Sequence, residues 1–142
     1  MVFGLCDVGY GSENCTQQRG TFLENFDSPR DFTDFCLAYV FTYRDFHNGT
    51  AGLASVGTVC RGYRNSGFVT FENYQTERGM NDTSVTFAHE VGHNFGAQHD
   101  DEYIEEQPEC DGPFIMRGGA SEESKYLSIV ILVRAVLVYD NC

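Results

Sequence analysis

The stretch that decides the fold reads His89-Glu90-Val91-Gly92-His93-Asn94-Phe95-Gly96-Ala97-Gln98-His99, and it contains three of the four histidines of the chain. His89 and His93 are four residues apart, so on a helix both imidazoles project from one face. Gly96 can adopt the positive φ that ends a helix, after which the chain can return and bring His99 to the same point. Three neutral imidazoles that leave one coordination position open are typical of a catalytic zinc site. The pattern therefore predicts one Zn²⁺ per chain.

Glu90 directly follows the first of these histidines, where its carboxylate can hold a water molecule against the metal. A carboxylate in that position is a candidate general base, able to take a proton from zinc-bound water. A histidine-rich helix that faces solvent is the alternative, and the match at every fixed position of the motif disfavours it. The fourth histidine, His47, lies beside an Asn-Gly turn and is predicted to be a surface residue rather than a ligand.

The composition fits a single small domain over residues 1–142, since 42% of the residues are hydrophobic and the chain is long enough to bury a core. The formal net charge of −12 argues against nucleic acid as a partner, because phosphate binding needs clustered basic residues. Acidic residues concentrate just after the motif, and we interpret them as a solvated loop; a calcium site is the alternative, but the spacing matches no calcium loop. They are Asp100, Asp101, Glu102, Glu105, Glu106, Glu109 and Asp111.

The cysteines and glycosylation sequons indicate an oxidising, secretory environment. The 6 cysteines are dispersed without a C-x-x-C pair, which favours disulfides over a redox or cysteine–zinc motif. Sequons begin at Asn14, Asn48 and Asn81. No signal peptide is visible at Met1–Cys6, and the apolar run Tyr126–Tyr139 suits a buried helix or strand better than a membrane span. We therefore expect an extracellular or cell-surface location, with no membrane span in this chain.

Three apolar runs upstream of the motif predict β-strands, at Phe35–Tyr43, Leu53–Val56 and Phe68–Phe71. The first run has few polar residues and suits a strand that is buried on both faces. Residues 1–30 are weakly periodic and predict no element. Strands followed by a long helix indicate a mixed α/β arrangement in which a sheet packs on helices.

The helix that carries the motif has a predicted start and a predicted buried face. Asp82 or Thr83 can cap its N-terminus. Phe87, Val91 and Phe95 recur at helical spacing and predict the apolar face that packs on the sheet.

Further residues carry a resemblance to a known family. Zinc proteases with this extended motif and a downstream methionine turn are the metzincins, and Pro113-Phe114-Ile115-Met116 resembles that turn. Asp100, directly after the third histidine, resembles the ADAM (adamalysin/reprolysin) branch. Upstream segments resemble the alpha-secretase-type, Kuzbanian-like ADAM sheddases, and the likeness covers about residues 20–118. These segments are Cys36–Thr42, Arg44–Phe46, Gly52–Ala54 and Thr86–Gly96.

The resemblance implies an α/β (α+β) zincin fold: a mixed sheet packed on an active-site helix, a methionine turn and a C-terminal helix. It also implies that this is a partial catalytic domain whose N-terminal part is truncated. The implied function is a zinc metalloendopeptidase that sheds protein ectodomains. In it, His89, His93 and His99 bind zinc, Glu90 activates the zinc-bound water, and Met116 packs beneath the metal. Substrate would bind as an added strand along Gly52-Leu53-Ala54-Ser55.

The same resemblance implies disulfide pairings, in which Cys60 joins Cys142 and Cys36 joins Cys6 or Cys15. Cys110 lacks the family's partner and is either unpaired or paired differently. Two other functions are weighed against the peptidase. A catalytically inactive, truncated zinc-binding or substrate-binding module accounts for the short N-terminal half. A disulfide-stapled adhesion module leaves the zinc motif unexplained and is disfavoured.

Overall fold

The computed structural model describes residues 19–27, 32–102 and 114–119. Over these residues, two helices flank a three-stranded sheet, and a small hairpin precedes the second helix. The elements in chain order are α1 (Arg19–Asp27), β1 (Ala38–Thr42), β2 (Gly52–Ala54), β3 (Ser66–Thr70), β4 (Glu72–Asn73), β5 (Thr76–Glu77) and α2 (Met80–Asn94), with short 3₁₀ turns at His47–Gly49 and Asp100–Glu102.

β3 is the central strand of the sheet, whose order is β1-β3-β2. β1 pairs with it in parallel, with Ala38 opposite Ser66, and β2 pairs with it antiparallel, with Leu53 opposite Phe68. The predicted mixed sheet packed on the motif helix is therefore confirmed, and all three predicted strands are present with shifted ends. No described helix is long and apolar enough to cross a membrane.

One face of the sheet carries an aromatic core beneath α1. Leu23, Phe46 and Phe68 are buried together, and the Phe22 ring contacts the Phe68 ring edge-on at 5.1 Å between centroids. Such edge-to-face pairs add to the free energy that burial of the rings provides. Helix α1 was not predicted, because its apolar residues are too few to give a clear helical period. Its packing on Phe68 is a tertiary contact between distant parts of the chain.

The opposite face of the sheet packs on α2. Here the predicted helix start is wrong, and although Phe87 contacts Tyr39 and Phe41 of β1, the most buried positions are not the predicted ones. The helix begins at Met80 after Gly79, without a side-chain cap. Its buried positions are largely polar, whereas Phe87 is 36% exposed. Thr83 and Thr86 donate to carbonyls at the start of the helix, and Asn94 donates to carbonyls of the sheet. Buried polar groups are stable when they are paired in this way. The buried residues of α2 are Thr83, Thr86, His89, Glu90, Gly92 and Asn94.

β1 is not buried on both faces, contrary to the prediction. Phe35, Phe41 and Tyr43 are 61%, 52% and 64% exposed. β1 lies at an edge of the three-stranded sheet, and its rings are covered only in part: Phe41 contacts Phe87 of α2 with 5.4 Å between ring centroids.

The disulfide pattern also differs from the one that the resemblance implied. Cys36 is bonded to Cys60, so the implied pairings of Cys60 with Cys142 and of Cys36 with Cys6 or Cys15 are wrong. The two cysteines meet because the loop after β2 returns to the start of β1, where the Cys60 N–H donates to the Cys36 carbonyl at 3.0 Å. The predictions for Cys110, Tyr126–Tyr139 and the C-terminal helix lie outside the described residues.

Candidate metal centre

The turn that ends α2 is what brings the third histidine back to the first two. Gly96 has a φ of 96°, the positive value that the sequence predicted. Its N–H donates to the His93 carbonyl at 2.8 Å, and the Ala97 N–H donates to the Gly92 carbonyl at 3.0 Å. This pair of bonds is the Schellman arrangement, which satisfies the last carbonyls of a helix and reverses the chain. His99 follows two residues later.

The three imidazoles of the motif converge on one point. The Nε2 atoms of His89 and His93 are 3.1 Å apart, and each lies 3.2 Å from Nε2 of His99. Two nitrogens at the tetrahedral angle, each about 2.0–2.1 Å from a zinc ion, lie about 3.3 Å apart. The triangle therefore fits one zinc ion, and these three residues are the only His, Cys, Asp or Glu group with such geometry in the described part of the chain.

Backbone carbonyls fix the tautomer of two of these rings. His89 Nδ1 lies 2.6 Å from the Ile115 carbonyl, and His93 Nδ1 lies 2.8 Å from the Ala97 carbonyl. A carbonyl only accepts, so each Nδ1 carries the proton and each Nε2 presents a lone pair to the centre. Burial lowers the pKa of His89 to about 4, and the hydrogen bond to the Ile115 carbonyl, which raises the pKa, offsets only part of this effect. The ring is therefore neutral at pH 7, as a metal ligand must be.

Glu90 lies on α2, and its buried side chain packs against Gly52, the first residue of β2. A Cβ built on Gly52 would lie 2.7 Å from Glu90 Oε1 and 2.8 Å from its Cγ, so the carboxylate occupies the space that the glycine leaves free. Burial raises the pKa of Glu90 to about 8. A carboxyl group with a pKa near neutrality is suited to accept and return a proton.

The predicted methionine turn lies against the same helix. Met116 is fully buried, and its sulfur packs on Gly92, where a side chain would collide with it. Asp100, which the sequence placed in a solvated loop, is instead fully buried. Its N–H donates to the Met116 carbonyl at 2.9 Å, which joins the segment of the third histidine to the turn.

The segment predicted to bind substrate forms strand β2 and the residue after it. Gly52, Leu53 and Ala54 pair with β3 on one side, and no described strand pairs with their other side. The Gly52 end of this edge lies beside Glu90. His47, predicted to be a surface residue, is exposed in a 3₁₀ turn away from the three converging rings.

Sequence reasoning missed two polar residues that join the motif helix to the sheet. Asn94 is fully buried, and the Tyr39 hydroxyl donates to its Oδ1 at 2.5 Å. Burial, and to a lesser extent the nearby Glu90 carboxylate, raises the pKa of Tyr39, so the hydroxyl keeps its proton. The only available signal was an asparagine inside the motif, whose partners are far away in the sequence.

Comparison with known proteins gives the class to which this site belongs. Residues 7–128 match the family described as Metallo-peptidase family M12B Reprolysin-like. The human protein named Disintegrin and metalloproteinase domain-containing protein 10 is 42% identical over 96 residues, which are 56% of this chain and 13% of that protein. Its Caenorhabditis elegans homolog is 41% identical over 149 residues, which are 84% of this chain and 16% of that protein.

The chain therefore belongs to the M12B reprolysin-like metallopeptidases, and its likeness to the ADAM family is confirmed. A metal-dependent peptidase is the class that this membership defines. The mouse protein named Disintegrin and metalloproteinase domain-containing protein 19 is also similar, with 37% identity over 79 residues, 56% of this chain and 8% of that protein. The chain spans 16% or less of these curated relatives.

Proposed function

We propose that residues 1–142 form a single zinc-dependent endopeptidase domain in which His89, His93 and His99 hold one Zn²⁺. The convergence of three Nε2 atoms 3.1–3.2 Å apart carries this proposal. Imidazole suits zinc, and three protein ligands leave a coordination position for a reactant. Gly96 supports the site through the turn that returns His99. Asp100 and Met116 support it through the hydrogen bond between them and through the packing of Met116 on Gly92.

Glu90 is the residue to which we assign the proton transfers. Zinc, when bound, polarises the scissile carbonyl and lowers the pKa of water to about 7. Glu90 takes the proton from the attacking water and gives it to the leaving amine. Burial raises the pKa of Glu90, which helps the carboxyl group to hold that proton between the two steps.

Substrate in this proposal lies as an extended strand along Gly52-Leu53-Ala54-Ser55. An unpaired strand edge binds a peptide through main-chain hydrogen bonds and leaves selectivity to side-chain pockets. Gly52 lies against Glu90, so a peptide on this edge passes the general base. Methylation of the substrate amides that face β2 should weaken binding, whereas methylation of the outward amides should not.

We further propose an extracellular or cell-surface location, with ectodomains of membrane proteins as substrates. The Cys36–Cys60 disulfide supports an oxidising compartment. Asn48 and Asn81, which begin two of the sequons, are both exposed. A secreted chain that cleaves soluble peptides but no membrane-tethered ectodomain would contradict the sheddase assignment and leave the peptidase assignment intact.

The decisive experiment is replacement of Glu90 by Ala, with zinc content and cleavage of a quenched peptide measured on the same preparation. We expect one zinc per chain in both proteins and loss of cleavage in the variant by at least about a thousandfold, because proton transfer is lost. The matched control is Glu77→Ala, since Glu77 is exposed on β5 and should be dispensable.

Two outcomes contradict the proposal in different ways. Cleavage that survives Glu90→Ala would show that Glu90 is not the general base. One bound zinc without cleavage in the unaltered chain would identify the inactive zinc-binding module instead.

A further inference from the structure

Asn94, the residue after the second motif histidine, is hydrogen-bonded to all three parts of the sheet. Its partners are Tyr39 in β1, Ser55 directly after β2, and Ser66 at the start of β3. We propose that Asn94, held by Tyr39, is a positioning residue that fixes the edge strand β2 against the metal-binding helix. This inference rests on the proposed function, because the placement of β2 concerns catalysis only if substrate lies along it.

The Asn94 amide is oriented by its partners. Its Nδ2 donates to the Ser55 carbonyl at 2.9 Å and to the Ser66 carbonyl at 3.1 Å. Carbonyls cannot donate, so Nδ2 must face them and Oδ1 must face the Tyr39 hydroxyl. Ser55 directly follows β2, and Ser66 begins β3. The amide therefore holds the end of the proposed substrate strand to the central strand and to α2 at once.

Tyr39 reaches Asn94 only because β3 carries a glycine beneath it. A Cβ on Gly67 would lie 2.6–2.9 Å from three atoms of the Tyr39 ring and hydroxyl. The ring also packs edge-on against Phe87 of α2, with 4.9 Å between centroids. The tyrosine is thus clamped between sheet and helix, and its hydroxyl prevents the amide from rotating away from the two carbonyls.

Backbone bonds continue the connection beyond Ser55. The Gly57 N–H donates to the His93 carbonyl at 2.8 Å, and the Thr58 N–H donates to the Asn94 carbonyl at 2.9 Å. These carbonyls lie in the last turn of α2, where no intrahelical donor is available. The segment after the substrate strand thus caps the helix that carries His89 and His93. A change at Asn94 is expected to move β2 relative to the metal ligands, and not merely to loosen a core contact.

The test is Tyr39→Phe, which removes one hydroxyl and keeps the ring. With a peptide long enough to pair along all of β2, we expect KM to rise about tenfold, equivalent to about 1.4 kcal/mol of lost binding. Zinc stoichiometry and kcat should change less than about twofold, because the ligands and Glu90 are untouched. Tyr43→Phe is the matched control, since Tyr43 is 64% exposed. An unchanged KM in Tyr39→Phe overturns the inference.

Amide hydrogen exchange on the zinc-loaded chain tests the positioning role of Asn94 and Tyr39 even if the unaltered chain cleaves nothing. In Tyr39→Phe we expect exchange at Ser55, Gly57 and Thr58 to quicken about tenfold relative to Val69 in the buried centre of β3. Equal acceleration at all four amides would indicate general destabilisation and overturn the positioning role. Failure of the peptidase proposal would show instead as absent cleavage with the local acceleration intact.

Discussion

The two faces of the sheet are held by different physical means. Beneath α1 the contacts are aromatic and aliphatic, centred on Phe68 and Phe46, whose ring centroids are 4.5 Å apart. Beneath α2 the buried contacts include hydrogen bonds, such as those of Asn94 to the two carbonyls of the sheet, beside the Phe87 ring that packs on Tyr39. Burial of apolar area stabilises a fold without demanding one geometry, whereas a buried hydrogen bond is lost when its partners move by an ångström or less.

The face that needs geometric precision is the one that carries the proposed metal ligands and general base. All three histidines and Glu90 lie on or directly after α2. Arg78 strengthens the same pattern at the start of the helix, where its guanidinium donates to the Thr86 hydroxyl at 2.7 Å and to the Thr70 carbonyl at 3.1 Å. We infer that the α1 face supplies most of the stability and that the α2 face positions the site.

The largest effect should come from the apolar face. Phe68→Ala removes a fully buried ring from the centre of the aromatic core, and we expect a loss of about 3–5 kcal/mol in the free energy of unfolding. Denaturant unfolding of the zinc-free chain measures it. Phe41→Ala is the control, because Phe41 is 52% exposed and its loss should cost about 1 kcal/mol or less. Equal losses would remove the distinction between core and surface aromatics.

A smaller effect is expected where the helix meets the methionine turn. Gly92→Ala places a methyl group on the buried Met116 sulfur, so we expect destabilisation of about 1–3 kcal/mol and weaker zinc binding. The control is Gly20→Ala in α1, where the added Cβ meets nothing within 4 Å and should stabilise the helix slightly. Zinc titration with a competing chelator and thermal unfolding together report both effects. Unaltered zinc affinity in Gly92→Ala would show that the packing of Met116 on α2 does not affect zinc binding.

The polar face should also make the stability of the zinc-free chain depend on pH. The folded pKa of Glu90, about 8, exceeds the unfolded value of 4.5, so the folded state binds more protons in between and loses stability as pH rises. From pH 6 to pH 8 the loss should be about 2 kcal/mol more than in Glu90→Gln. His89, with its pKa lowered to about 4, acts with the opposite sign in both proteins and cancels in the comparison. Parallel pH profiles for the two proteins would contradict the burial of Glu90.

The smallest of these effects tests the approach of Glu90 to the sheet. Gly52→Ala should displace the carboxylate, and we expect kcat to fall about tenfold, a change of about 1.4 kcal/mol in the activation barrier. Zinc content should not change, because no ligand is displaced. A variant with full kcat would show that Glu90 does not depend on the space above Gly52.

The sequence predicted the site better than it predicted the packing around it. Ligand spacing and the glycine turn are local properties of the chain, so His89, His93, His99 and Gly96 could be read directly from the motif. The buried face of α2 could not, because Phe87 packs on Tyr39 and Phe41 at its margin while the most buried positions are polar. Likewise, the prediction that Asp100 lies in a solvated loop is wrong. Asp100 is buried because the segment that contains Met116 folds against it, a contact that the local sequence does not encode.

By itself, then, the sequence determined the helix, its end and the convergence of three imidazoles, because hydrogen bonds between residues a few positions apart decide these features. Only the tertiary structure decided that Tyr39 meets Asn94, that Glu90 fills the space above Gly52 and that Cys36 joins Cys60. These contacts join residues far apart in the chain. Their formation depends on how the sheet and its two helices pack, which no local pattern encodes.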